Sequence, residues 1–322
     1  MRNGRGLPAA MPAIALALLI VVAALAPTLA PYVPARQFAN YPFAPPMRPH
    51  LVDDGGTWHA PFAYPVRIVD PIERRYAEDR TRRITFADDG EPWFLLGSDA
   101  LGRDVLSRVL AGARLSLGIA LLATLCTLII GAAIGAAAGY LGGWVDAWLM
   151  RSADLVLVLP TIYVVLALRG ALPVVMVPAQ VFAALVVVLS LVGWPAAARG
   201  VRGIFLVERR SEYAEAARAL GAGPWRVIGR HLLPASRGFL AVQATVLVPA
   251  FVMAEATLSY VGLGFASPTA SWGAMLLDAS KVRIVAEAPW LLAPAAAIFV
   301  TVFVVHAGSA GRDPHSGDHN LG

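Results

Sequence analysis

The sequence predicts an all-α integral membrane protein of six transmembrane helices, with an extracytoplasmic insertion after the first. Composition is the first reason. The 322 residues are 58% hydrophobic and only 15% charged, with a mean hydropathy of +0.65, whereas soluble globular chains carry about 25% charge. Spacing is the second. No charge occurs between Arg5 and Arg36, Arg114 and Asp146, Arg169 and Arg199, Arg237 and Glu255, or Glu287 and Arg312. A helix crosses the hydrocarbon core with about 20 mostly apolar residues. This pattern excludes a soluble enzyme and a nucleic-acid-binding domain.

The first apolar run, 7–30, follows Arg2 and Arg5. A signal peptide is the competing reading, but Pro27 and Pro31 directly follow the two small-residue cleavage-like sites and oppose it. We read residues 1–30 as a tail and a retained helix. Residues 31–96 are proline-rich and of mixed charge, and read as an extended, loosely ordered segment outside the cytoplasm. Within it only 65–69 and 84–86 have strand-like composition. Residues 97–312 form a five-helix core with spans at 115–140, 148–172, 178–198, 239–263 and 289–308; residues 313–322 are a tail. Pro160, Pro195, Pro249 and Pro294 fall in these spans and should bend their helices.

Charge orients the set. The loop 199–237 carries eight arginines against three glutamates, and the loop 264–288 is neutral. By the positive-inside rule the arginine loop is cytoplasmic, and six crossings put both termini there as well. The only lysine is Lys281, followed by Val282, so no Gly-Lys-Ser/Thr phosphate loop exists. Work driven by ATP would need the nucleotide on another subunit. The single cysteine, Cys126, lies in an apolar run and reads as a packing residue.

The arginine loop also carries a pattern. Ser211 suits an N-cap with acid in the following turn. Tyr213, Ala216, Ala217 and Leu220 make one apolar stripe on a helix. Gly221 can take the left-handed conformation that stops that helix, and Pro224 starts a second, which Pro234 should end. A surface helix packing on its own chain, or a DNA-reading helix-turn-helix, would share part of this pattern. Tethering at both ends to a bilayer speaks against DNA.

Glu215-Ala216-Ala217, then Gly221, then Leu233-Pro234 resembles the EAA loop of ABC-importer permeases. The flanks extend the resemblance: Leu96-Gly97-Ser98-Asp99 with Gly102 to Arg108, Gly112 to Ser116, Gly139 to Asp146, Gly262-Leu263-Gly264, and Ser271 to Met275. These are similar, in order, to C-type permeases of the dipeptide/oligopeptide (peptide/nickel) family, over about two-thirds of the chain. Residues 31–96 match nothing in that pattern, and the end after His306 departs from it.

The resemblance implies a type I ABC-importer permease of the bacterial inner membrane that forms half of a translocation path for peptides. Nickel or another chelated solute is the alternative cargo. It implies no catalysis and no cofactor on this chain, with ATP on partner subunits. The implied partners are a second permease, two cytoplasmic ATPase subunits, an extracytoplasmic substrate-binding protein and membrane lipid, but no nucleic acid. Glu215, Ala216, Ala217, Gly221, Leu233 and Pro234 would couple the chain to the ATPase. Glu215 would supply a salt bridge or cap at the joint, and Gly221 the backbone turn. A stand-alone secondary transporter is a different class of reading; it would need no such loop.

Asp154 and Glu255 lie inside predicted spans, where carboxylates are functional candidates, although hydrogen bonding between helices is the plainer role. His306 reads as a packed neutral side chain. His315, Asp318 and His319 read as a solvated tail rather than a metal site. Asp99 and Asp104 lack the spacing of a calcium loop. Ser309 with His306 has no setting for an intramembrane protease.

Overall fold

A computed structural model describes residues 7–70, 73–85, 91–171, 173, 176–280 and 286–310. Its helices are α1 (Leu7–Leu29), α2 (Val105–Leu141), α3 (Gly143–Val158), α4 (Thr161–Gly170), α5 (Pro178–Glu208), α6 (Glu212–Ala219), α7 (Pro224–Val227), α8 (Leu233–Ala235), α9 (Arg237–Tyr260), α10 (Trp272–Ala279) and α11 (Ala293–Ala310). Among the described residues four stretches are long and apolar enough to cross a membrane: Val105–Leu141, Pro178–Glu208, Arg237–Tyr260 and Pro289–Ala307. The helices outrun the spans read from hydropathy at several ends. Hydropathy registers only the apolar part, while the hydrogen-bond ladder continues into polar sequence such as Arg199 to Glu208. The tail with His315, Asp318 and His319 lies outside the described residues.

The span predicted at 148–172 is not one helix. It is broken between α3 and α4, where Leu159 is extended (φ −75°, ψ 129°) ahead of Pro160. The residue before a proline is pushed out of the helical region, and proline has no N–H to continue the ladder. Pro195 and Pro249 do sit inside helices. Pro294 occupies the first turn of α11, where the missing N–H is no loss.

The chain forms two units. One comprises residues 1–20, 117–255 and 301–322. Here α2 packs on α5 at backbone distance. A Cβ built on Gly135 would lie 2.4 Å from the Ala198 carbonyl oxygen and 2.9 Å from Val201 Cβ. Gly131 and Gly139, one turn away on either side, face α5 in the same manner, so small residues at four-residue spacing bring the two backbones together. Gly135→Val should force these helices apart. The expected cost is about 1–3 kcal/mol, as for other overpacked sites, read as a lower thermal midpoint in detergent. An unchanged midpoint would show that the contact is looser than described.

The other unit comprises residues 21–116 and 256–300, and it replaces the loosely ordered expectation for 31–96 with a packed segment, in which the strand-like stretch 65–69 coincides with a strand. Two antiparallel hairpins form there: β1 (His50–Val52) with β2 (Trp58–Phe62), and β3 (Val66–Asp70) with β4 (Arg75–Glu78). Ala63 and Ile84 exchange both backbone hydrogen bonds, at 3.0 and 2.9 Å. A core of Ala44, Met47, Ala63, Val66, Ile84, Trp93 and Phe94 holds the segment together. Phe38 and Tyr41 approach the Phe94 ring edge-on at 5.4 and 5.8 Å, a favoured aromatic geometry. The core residues are scattered from Ala44 to Phe94 along the chain, with no single periodic run that contains them.

Four charges are gathered near the start of α2. Asp99 Oδ1 accepts from the N–H groups of Leu101 and Arg103 at 2.9 and 3.0 Å. Its Oδ2 meets Arg103 Nε at 2.6 Å and Arg108 Nε at 3.4 Å. Both arginines also face Asp278 of α10, at 3.6 and 3.8 Å. Asp104, directly before α2, accepts from the Ser107 N–H at 2.7 Å and from its hydroxyl at 2.6 Å, which is N-cap chemistry. Burial pushes the Asp104 carboxyl up. Asp99 is thus spent on guanidinium and backbone N–H contacts, and Asp104 on its cap.

Candidate functional site

The segment joining α5 to α9 contains the predicted coupling residues. Ser211 stands at the N-cap of α6 with extended backbone (φ −70°, ψ 151°). Its carbonyl accepts from the N–H groups of Ala214 and Glu215, both at 3.0 Å. Its hydroxyl does not cap the helix; it donates to the Glu208 carbonyl at 2.6 Å. Glu212 and Glu215 lie in the first turn and Arg218 in the last, the arrangement the helix dipole favours.

Gly221 ends α6 as the sequence predicts, with φ +83°. The Ala222 N–H bonds back to the Ala217 carbonyl at 3.0 Å, and the Gly221 N–H to that of Arg218 at 2.9 Å. This paired closure needs a left-handed residue. A Cβ on Gly221 would meet nothing within 4 Å. The demand is therefore for backbone conformation alone, not for space. Pro224 opens α7 from Gly223.

Pro234 does not end the second helix. A π-helical turn, Ile228–Leu232, leads into α8, and Pro234 is in the first turn of that piece. The wider turn accommodates a ring with no N–H without breaking the path to α9.

Burial separates two faces. Ala214, Val227 and Leu232 are fully buried in a cluster with Ala136 of α2 and Val201 and Phe205 of α5. Tyr213, Glu215, Ala216 and Gly221 are exposed, Leu220 is 89% exposed and Trp225 86%. Ala217 and Pro234 are half-buried, and Leu233 is at the margin of exposure. The predicted stripe of Tyr213, Ala216, Ala217 and Leu220 is thus mostly the outward side. Ala214, which the periodicity did not single out, turns inward. An outer surface that exposes Leu220 and Trp225 is bolted through a small inner cluster to two long helices.

Arginines counted in the sequence only as orienting charges do specific work here. Arg209 Nη1 donates to the Gly139 carbonyl at 2.9 Å, joining the ends of α5 and α2. Arg218 Nη2 donates to the Arg209 carbonyl at 2.5 Å. Arg202 grips Asp146 of α3 through Nε and through Nη2, the latter at 2.6 Å, and this forked contact holds the Asp146 carboxyl below its ordinary range. Tyr213 donates to Glu208, and that bond raises its hydroxyl. Asp154 of α3 pairs with Arg199 of α5. Glu255 is fully buried on α9, and His306 is exposed with Nδ1 2.9 Å from the Val302 carbonyl. Asp154 and Glu255 are not part of the loop.

A lowered carboxyl pKa stabilises the fold above the unfolded-state value of about 3.9 and loses that effect as pH falls through the lower folded value. Asp146→Asn should therefore lower the thermal midpoint at about pH 6, and the gap to the parent protein should shrink towards about pH 3. A gap independent of pH would mean that the Arg202 contact does not carry it.

Residues 129–310 match the family described as the binding-protein-dependent transport system inner membrane component. The chain is 37% identical over 240 residues to the oligopeptide transport system permease protein OppC of Bacillus subtilis, covering 73% of this chain and 75% of that protein. It is 37% identical over 207 residues to the glutathione transport system permease protein GsiD of Pectobacterium atrosepticum, 64% of this chain and 66% of that one. To the di/tripeptide transport system permease protein DppC of Pseudomonas aeruginosa it is 30% identical over 291 residues, 90% and 81% of the two chains.

Proposed function

From the premise that the chain belongs to the family of binding-protein-dependent transport system inner membrane components, we propose that it is a permease subunit of an ATP-driven peptide importer. It forms half of the translocation path and takes its mechanical input through the α6–α7 loop. The observation that carries this reading is the two-faced loop: Leu220 and Trp225 outward, Ala214 and Val227 fully buried behind them. A helix presenting small and apolar residues suits a groove in another protein. Rotation of that groove on ATP binding would pass through Ala214 and Val227 to α2 and α5, a rigid-body route to alternating access.

In this reading α1 and the broken α3–α4 pair complete six crossings, with both termini and the arginine loop in the cytoplasm and residues 31–96 outside. The partners are a second permease, two cytoplasmic ATPase subunits that bind the ATP, and an extracytoplasmic substrate-binding protein. Glu215, Ala216, Ala217, Gly221, Leu233 and Pro234 belong to the ATPase joint, and Asp154 and Glu255 to contacts between helices. The membrane is the bacterial inner membrane. A detergent pull-down of the tagged chain from its native membrane tests the assembly. One or two P-loop ATPases and a second permease should co-purify, whereas a folded chain that repeatedly emerges alone would favour a self-contained transporter.

A further inference from the structure

We propose that the outward stripe of α3 binds an anionic phospholipid of the cytoplasmic leaflet, with Arg151 holding its headgroup phosphate. This rests on the reading that the α3–α4 pair crosses the bilayer. Helix geometry defines the stripe. At about 100° per residue, Trp144, Trp148, Arg151, Leu155 and Val158 fall within about 80° of arc. The four apolar members are 66–79% exposed, and Arg151 is exposed among them. Ala153, on the opposite side of the helix, is fully buried in a cluster with Trp194 and Ala198 of α5. The stripe therefore faces away from the contact that holds α3 in place.

Charge identifies what the stripe lacks. Both carboxylates of α3 are taken, Asp146 by Arg202 and Asp154 by Arg199. Arg151 has no ion pair and no side-chain hydrogen bond among the described residues. A guanidinium at membrane depth requires an anion or water, and phosphate suits its planar fork. Helical side chains lean toward the N-terminus, so that of Arg151 runs back toward the level of Trp148 and can snorkel there. The Asp146–Arg202 contact sets this end of α3 beside the arginine loop, which on the same reading is cytoplasmic. Tryptophan marks the headgroup layer, and the cytoplasmic leaflet carries a negative surface potential. Beyond Arg151 the stripe continues as Leu155 and Val158, which suit acyl chains.

Side-chain bulk favours lipid over a second permease at this face. Helices meet inside a bilayer through small residues that let their backbones approach. Gly131, Gly135 and Gly139 do this between α2 and α5. The α3 stripe holds two tryptophans, an arginine, a leucine and a valine, and no small residue. A protein neighbour would also have to bring an acid to Arg151, whereas lipid supplies a phosphate at that depth.

The test places a photoreactive residue on the stripe, Trp148→p-benzoylphenylalanine, in the full chain purified with its accompanying subunits. The complex is reconstituted in equal amounts of phosphatidylglycerol and phosphatidylethanolamine with the same acyl chains, and photoadducts are identified by mass. Phospholipid adducts should dominate, with phosphatidylglycerol favoured about fivefold, the effect of one basic residue at an anionic surface. Adding Arg151→Gln should bring the two lipids to parity, and Arg151→Lys should keep most of the preference, with the same subunits co-purifying. Adducts to a second permease in place of lipid overturn the proposal and make the stripe a subunit interface. Equal yields from the two lipids, or a preference that Arg151→Gln leaves intact, overturn the role of Arg151. Leu155→Cys, in a Cys126→Ser background, separates this from the premise. Rapid labelling by a membrane-impermeant maleimide contradicts the crossing of α3 itself, whereas protection from the reagent without a lipid preference faults the stripe alone.

Discussion

Gly221→Val should reduce ATP-driven uptake about tenfold or more while the chain inserts and accumulates normally. The cause is conformational. Gly221 sits at φ +83° with open space where a Cβ would be. An L-residue pays about 1–2 kcal/mol to sit there, and a β-branched one pays more. The closure of α6 through the Ala217 and Arg218 carbonyls then opens, and the outer face loses its fixed angle to Ala214 and Val227. Because space is not limiting, the substitutions should rank by tolerance of positive φ. Gly221→Asn should keep most of the uptake, Gly221→Ala less, and Gly221→Val least. Transport assays in membranes with matched protein levels check the order. Equal impairment by Asn and Val would point to a contact surface instead of a turn.

Asp99→Asn should cost about 3–5 kcal/mol of stability, the usual penalty for stranding one side of a buried ion pair. The amide keeps the length to accept from the Leu101 and Arg103 N–H groups but removes the charge between Arg103 and Arg108, whose side chains are 3% and 2% exposed. The remaining carboxylate, Asp278, is 52% exposed and no closer than 3.6 Å, too distant and too wet to compensate. Asp278→Asn should therefore be much milder. Thermal unfolding in one detergent compares the pair, and an equal loss from both would mean that the four charges share the load evenly.

The long helices were legible from extended stretches with little or no charge, because the bilayer imposes that requirement on any chain crossing it. The Gly221–Pro224 turn was legible for a local reason: one residue must adopt positive φ and another must start a helix without an N–H. The break at Leu159–Pro160 was half legible, since a proline in an apolar run signals either a bend or a stop and only packing decides. Strand-like composition at 65–69 pointed to β3, but the core of 31–96 was hidden because Ala44, Met47, Trp93 and Phe94 meet only in three dimensions. Asp99 and its arginines were similarly hidden: Arg103 also reaches Ser267, 164 residues away in the chain. Within the loop, the periodicity marked a stripe but not its direction. A helix of eight residues, rich in alanine, can bury either side, and here Ala214 is the buried one.

The central claim is that the outer face of the α6–α7 loop touches an ATPase. Trp225, 86% exposed, is the residue to test it. Trp225→Cys, placed in a background where the half-buried Cys126 is replaced by serine, is cross-linked in native membranes with a short bifunctional thiol–amine reagent. The account predicts one dominant adduct, identified by mass as a P-loop ATPase, with a yield that changes when ATP is added. An adduct confined to this chain or to lipid, in membranes where the ATPase is present and active, would contradict it.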